Sequence, residues 1–173
     1  MFSWRITKYN PIYRDLNGRY KNEEWTSFSD IGKSFSGKEF KINEYLRYEG
    51  LYVTSIFEFM KCLQISSLEV NDLEKLSDNT NLIKSNELFS QEMIDLYLRI
   101  RNNEILEAKD IGNIIRLILR ESIWAKLTND NMLFVHFGND YYMYVGSSKI
   151  CNETIELIKK TGLFVEAYES PYL

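Results

Sequence analysis

The single histidine, His136, stands in 132-MLFVHFGNDYYMY-144, with Asp140, Tyr142 and Tyr144 close behind it. An imidazole, a carboxylate and phenols are the groups of a general acid–base site. On a strand reading His136 shares a face with Met132 and Phe134, and a hairpin brings Tyr142 or Tyr144 near it. This defines one candidate, a small hydrolase or transferase using His136, Asp140, Tyr142 and Tyr144. The opposing reading is a half-buried histidine satisfied by a neighbouring hydroxyl or carboxylate. A two-histidine ribonuclease mechanism is excluded by the count.

Carboxylates occur as Glu23-Glu24, as Glu69, Asp72 and Glu74, and as Glu104, Glu107 and Asp110. Such groups hold a divalent ion or work as acid and base when they converge; otherwise they are solvated faces and helix caps. Arg116 and Arg120 lie one helical turn apart in an apolar segment. Each needs a carboxylate, because an unpaired buried arginine is costly. Glu121 and Asp110 are the nearest in sequence. The opening stretch interleaves Trp4, Tyr9, Tyr13, Tyr20 and Trp25 with Arg5, Lys8, Arg14, Arg19 and Lys21. It is either a loop anchored by its rings or an arm that grips a partner through aromatic and arginine anchors. Arg14, Arg19, Tyr20 and Trp25 are its candidate contact residues. Glu69, Asp72 and Glu74 are the acidic candidates.

Several chemistries are excluded by pattern. No phosphate-cradling GxGxxG or GxxxxGK[ST] occurs, and no GxSxG elbow. Cys62 and Cys151 are the two cysteines; without a CxxC or a Cys/His cluster, no zinc site of ordinary spacing is available. Neither a metal nor a cofactor is therefore predicted; a disulfide between the two cysteines is possible but unneeded at this size, and they are taken as buried free thiols in a reducing cytosol. Hydrophobic residues make up 45% and charged residues 27% of the 173, which is a folded, soluble composition long enough for one core without crosslinks. Net charge is −4, and residues 1–49 carry +2 against −6 for the remainder. An acidic body disfavours phosphate contact and favours a basic partner. An RNA-binding reading needs a basic groove along Arg5, Lys8, Arg14 and Arg19. No apolar run is long enough to span a bilayer and no leader opens the chain, so a cytoplasmic protein is expected.

The elements that position these groups follow from periodicity. A strand is predicted over Phe2–Tyr9, with turns at Asn10-Pro11 and Asn17-Gly18. Residues 28–42 read as loop with a short strand at Glu39–Ile42. Asn43 is placed as the cap of a helix running to Leu63, whose wide apolar face must pack on a sheet. Ser67–Leu73 alternates as a strand, and residues 76–90 are polar and irregular. Gln91–Ile100 fits a helix, although its YLRIR end fits a strand as well. Asp110 caps a buried helix over Ile111–Glu121. Ile123–Leu127 is a strand, and Met132–Phe137 with Tyr141–Gly146 forms a hairpin across Gly138-Asn139-Asp140. Asn152–Thr161 is a helix ended by Gly162, and Leu163–Tyr168 is a last strand. Adjacent strands beside separate helices give an α+β domain over 1–173: a mainly antiparallel sheet with a C-terminal hairpin, packed by three to four helices.

The strings WRITKYNP, EWTSFSDIG, RLILRES and FVHFGNDYYMY, in a small, acidic, tyrosine-rich chain, resemble the small cytosolic immunity proteins of bacterial toxin–immunity pairs, including those of contact-dependent growth inhibition. That resemblance implies a non-enzymatic cytosolic inhibitor that binds a toxin domain, often a nuclease, through a protein–protein interface. A basic toxin domain meeting an acidic face would associate fast.

Overall fold

The computed structural model describes residues 1–75 and 87–173. Seven strands form one sheet in the order β5-β4-β6-β7-β8-β1-β9, with every neighbouring pair antiparallel. In chain order these are β1 (Phe2–Thr7), β4 (Ser67–Lys75), β5 (Ile105–Glu107), β6 (Ile123–Asn129), β7 (Leu133–Phe137), β8 (Met143–Ser147) and β9 (Phe164–Ala167). A separate two-stranded ribbon joins β2 (Ser34–Phe35) to β3 (Lys38–Glu39). Among the described residues four α-helices accompany them: α1 (Ile42–Leu63), α2 (Gln91–Arg99), α3 (Ala108–Leu119) and α4 (Asn152–Lys160). The α+β architecture is the one the periodicity demands. The stretch read as polar and irregular, 76–90, lies mostly outside the described residues.

The helices sit on one face of the sheet. Alternation along each strand decides which residues meet them. Trp4 and Ile6 of β1 turn inward, and the Trp4 ring lies 5.6 Å from Phe59 of α1. Met143 and Val145, with Leu133, Val135, Ala125 and Leu127, join them in a continuous core. The opposite face carries Arg5, Tyr144, Phe134, His136, Trp124 and Lys126. This second face is not open to solvent at its centre, since β7 and β8 are buried at every position. The opening stretch and the residues after β9 cover it. Gly146 makes room there: a Cβ on it would meet the Phe134 ring at 2.0 Å, so only glycine lets that ring lie across β8.

Element boundaries differ from the sequence reading where side-chain chemistry is ambiguous. Lys41 rather than Asn43 occupies the cap of α1, and it makes no side-chain capping bond. Glu107 precedes α3, which places Asp110 inside the first turn. Ser90 caps α2 by accepting from the Met93 amide, and the helix takes in Tyr97, Leu98 and Arg99 of YLRIR but ends before Ile100 and Arg101. The strand anticipated at Glu39–Ile42 is the local ribbon at Lys38–Glu39, and β5 was missed because three residues carry no period. In the β7–β8 turn the left-handed residues are Asp140 (φ 58°) and Tyr141 (φ 61°), not Gly138.

Cys62 and Cys151 are not free thiols. They are joined in a disulfide with Cα atoms 6.1 Å apart, linking the end of α1 to the residue that precedes α4. Sequence distance gave no hint of this, because the two are brought together only when α4 folds back on α1. The bond closes a loop of 89 residues, for which chain entropy gives about 4–5 kcal/mol of stabilisation. Thermal unfolding with and without reductant checks this: the reduced chain should unfold cooperatively at a lower temperature. An unchanged midpoint would show that the crosslink does not constrain the unfolded state.

Candidate functional site

His136 is held in a closed environment. Its Nδ1 lies 2.8 Å from Ser170 Oγ, and the Tyr172 amide donates to the same hydroxyl at 3.2 Å. The imidazole stacks on Phe134 at 4.5 Å, and the Tyr172 ring stands edge-on to it at 6.4 Å. His136 is only 4% exposed. Burial draws its pKa down to about 4, with Lys126 across the β6–β7 ladder adding to the effect and the Asp72 carboxylate opposing it. Tyr144 is its cross-strand neighbour on β8. The other members of the acid–base candidate go elsewhere. Tyr142 accepts from Arg14 Nη1 at 2.8 Å and stacks on Tyr9. Asp140 lies at a separate cleft at the end of the sheet. The four residues of that candidate are thus split between places, and the histidine is satisfied by a hydroxyl, as the opposing reading has it.

The opening stretch is resolved in the same way. Trp25 is 5% exposed and stacks on Phe40 at 4.3 Å, with Tyr45, Tyr48 and Tyr141 around it. It is a core residue and not a surface anchor. The Arg14 side chain is 8% exposed. Arg5 grips Glu166 with Nη2 at 3.0 Å and lies 4.2 Å over the Tyr168 ring. Arg14 Nη2 approaches the same carboxylate at 3.5 Å. Lys8 is buried against Glu24 at 3.0 Å and lies over both Tyr9 and Trp25. Burial lowers its pKa, and Glu24 offsets part of that. Tyr20 donates to the other oxygen of Glu24 and is half-buried. Of this group only Arg19 is free on the surface. Arg5, Lys8 and Arg14 are consumed inside, so they form no basic groove.

Arg116 and Arg120 do find a carboxylate, but it is Glu49 of α1. Arg120 is bidentate on it at 2.7 and 2.8 Å, and Arg116 Nε lies 3.4 Å away. Asp110 pairs with Arg99 instead, and Glu121 accepts from the Ser27 hydroxyl. A partner seventy-one positions away cannot be read from local spacing.

Three clefts stand out among the described residues. One of about 920 Å³ runs beside the disulfide and mixes Lys61 and Lys160 with Glu58 and Glu153. Another, about 780 Å³, lies above Trp25 and mixes Lys21 and Lys38 with glutamates, one of them paired as Lys38–Glu44. The third is smaller, about 330 Å³, and differs in charge. Its apolar lining comes from the end of α3 (Ile118, Leu119), the start of β6 (Ile123, Trp124) and Phe137. Glu74, Glu121 and Asp140 complete it. Among the described residues no lysine or arginine lines this cleft, and none of its three carboxylates is ion-paired. No three His, Cys, Asp or Glu of the described residues are grouped to hold a metal ion. Of the acidic candidates, Glu74 is therefore at a site, Asp72 pairs with Lys126 at 2.9 Å, and half-buried Glu69 stays on β4. Glu121 and Trp124 were not anticipated, since nothing local joins them to Asp140. No protein-family model, no curated protein and no solved structure matches this chain.

The His136 environment has a testable consequence. Its folded-state pKa lies below the ordinary 6.5, so folding favours the neutral ring. The stability it contributes is whole above about pH 6.5 and is lost as pH falls toward 4. The melting temperature should drop over that interval. A His136→Gln variant, which can still bond Ser170, should show a smaller drop. Equal drops in both proteins would assign the acid sensitivity to other groups.

Proposed function

We propose that the chain is a non-enzymatic binding protein that neutralises a basic toxin domain by direct contact, in the manner of an immunity protein. One observation carries this reading above the others: the cleft at the end of the sheet collects three unpaired carboxylates over an apolar lining. Such a surface leaves charge and apolar area unsatisfied in the free protein, and a basic partner satisfies both. The sealed state of His136 weighs in the same direction, because a substrate cannot reach an imidazole bonded to Ser170 beneath Tyr172 without displacing that tail.

Among the described residues no helix is long and apolar enough to cross a membrane. A cytoplasmic site of action belongs to the same proposal, and the crosslink bears on it directly. Disulfides are rare in a reducing cytosol. Acting there, the protein would carry Cys62 and Cys151 as thiols and rely on its core alone. Counting thiols on protein trapped rapidly from cells decides between the two compartments.

Growth rescue is the test of the function itself. Co-expression with the basic toxin domain that this reading requires, sought in the neighbouring reading frame, should restore growth and yield a stable complex. His136→Gln and Tyr144→Phe, which alter only the acid–base candidate, should rescue as well as the unaltered chain. Loss of rescue in both, with the variants still folded and still bound to the toxin, would instead point to a chemical step at His136. Failure of the unaltered chain to bind or rescue would overturn the proposal.

A further inference from the structure

We infer that the cleft bounded by Glu74, Glu121 and Asp140 receives a single arginine side chain of the partner, so that one buried guanidinium anchors the interface. The inference rests on the binding reading above and makes it specific.

Size sets the first limit. At about 330 Å³ the cleft lies at the small end of ligand pockets, which run from about 300 to 1,000 Å³. It is too small for a nucleotide or a helix and adequate for one long side chain. Charge sets the second. Three carboxylates without a counter-ion favour a cation, and an apolar lining favours one carried on a hydrocarbon stem. The chemistry of the walls chooses between the two long cationic side chains. Half-buried Trp124 offers an aromatic surface at the cleft, whereas Phe137 and Tyr141 are only 4% and 6% exposed; on such a ring a planar, weakly hydrated guanidinium stacks better than an ammonium. Arginine is also over-represented among the residues that dominate interface energetics.

The surrounding structure fixes the backbone beneath the carboxylates without consuming their charge. Glu121 has φ 56° and accepts a 3.0 Å hydrogen bond from Ser27, leaving its charge unpaired. Asp140 stands in the β7–β8 turn. That turn is fixed by Gly138 donating to the Tyr142 carbonyl at 2.7 Å and by the Tyr141 hydroxyl donating to the Leu119 carbonyl at 2.6 Å. Glu74 is exposed at the end of β4, beyond the point where the register shifts. Three chain segments thus present charge to one opening.

The test is an NMR titration with n-propylguanidinium, the side chain of arginine as a free molecule, against n-propylurea, its neutral counterpart, and n-butylammonium, the side chain of lysine. n-Propylguanidinium should shift the Trp124 indole and Gly138 amide signals saturably, and n-propylurea should not. Combined Glu74→Gln, Glu121→Gln and Asp140→Asn changes should weaken n-propylguanidinium by about tenfold or more, as expected when desolvated charge partners are removed. Glu74→Gln alone, on an exposed strand end, should weaken it in the same direction without altering the fold. Equal response to n-propylurea would overturn the charge argument, and equal affinity for n-butylammonium would overturn the choice of arginine. Shifts that follow protein concentration alone would make a second copy the occupant and overturn it too. If n-propylguanidinium leaves the cleft unmoved while the toxin domain still binds, this inference falls and the proposed function stands. If n-propylguanidinium binds and no toxin domain does, the cleft is real and the proposed function falls.

Discussion

The buried contact between Glu49 and Arg120 is the constraint on which the rest of the arrangement depends. Both residues are almost wholly enclosed, with side chains 3% and 5% exposed. A bidentate guanidinium–carboxylate pair fixes two planes as well as a distance. It ties the middle of α1 to the last turn of α3, and Arg120 also donates to the Leu88 carbonyl. Such a pair adds little net stability over an apolar substitute, while removal of one member leaves a buried charge worth about 3–5 kcal/mol of destabilisation. Its value here is positional. Ile118, Leu119 and Glu121 flank Arg120 directly, and all three line the acidic cleft. Tyr141 then ties the β7–β8 turn to Leu119.

A second polar network does the corresponding work on the far side of the sheet. Arg5, Lys8 and Arg14 enter the fold with Glu24 and Glu166 and with the rings of Tyr9, Tyr142 and Tyr168. The aromatic and basic residues at the start of the chain divide their work: Arg5, Tyr9, Arg14 and Tyr20 seal the second face of the sheet, while Trp4 and Trp25, with Lys8 over the latter, pack on the helix side. The buried cations are matched by the buried or half-buried carboxylates Glu24, Asp30, Glu49 and Glu166, so the exterior keeps the acidic balance of the sequence. The carboxylates left outside without partners, above all those of the cleft, then dominate what a partner meets.

The sequence disclosed those parts of the fold whose information is local. Alternation in β1, β4, β7 and β8 and the wide apolar stripe of α1 are properties of neighbouring residues, and the α+β class follows from them. Capping positions were less legible, because Lys41 and Glu107 stand where no side chain makes the capping bond. Long-range pairings were not legible at all. Glu49 with Arg120, Cys62 with Cys151, and His136 with Ser170 each join residues that no spacing relates. The site followed the same division. Glu74 and Asp140 were visible as candidates separately. Their meeting with Glu121 and Trp124 depends on three segments converging at one end of the sheet, and Arg14 and Trp25 looked like surface anchors because burial cannot be read from residue type.

The central claim is that this protein acts by offering unpaired carboxylates to a basic partner, and charge makes that claim measurable. Long-range attraction between exposed opposite charges is screened over about 10 Å at 0.1 M salt and acts chiefly on the association rate. The decisive measurement is the association rate constant with the proposed toxin partner as a function of ionic strength. The account predicts a rate that falls steeply with added salt, and a flatter dependence once the three cleft carboxylates are neutralised. A rate indifferent to salt, and identical in the neutralised variant, would contradict it.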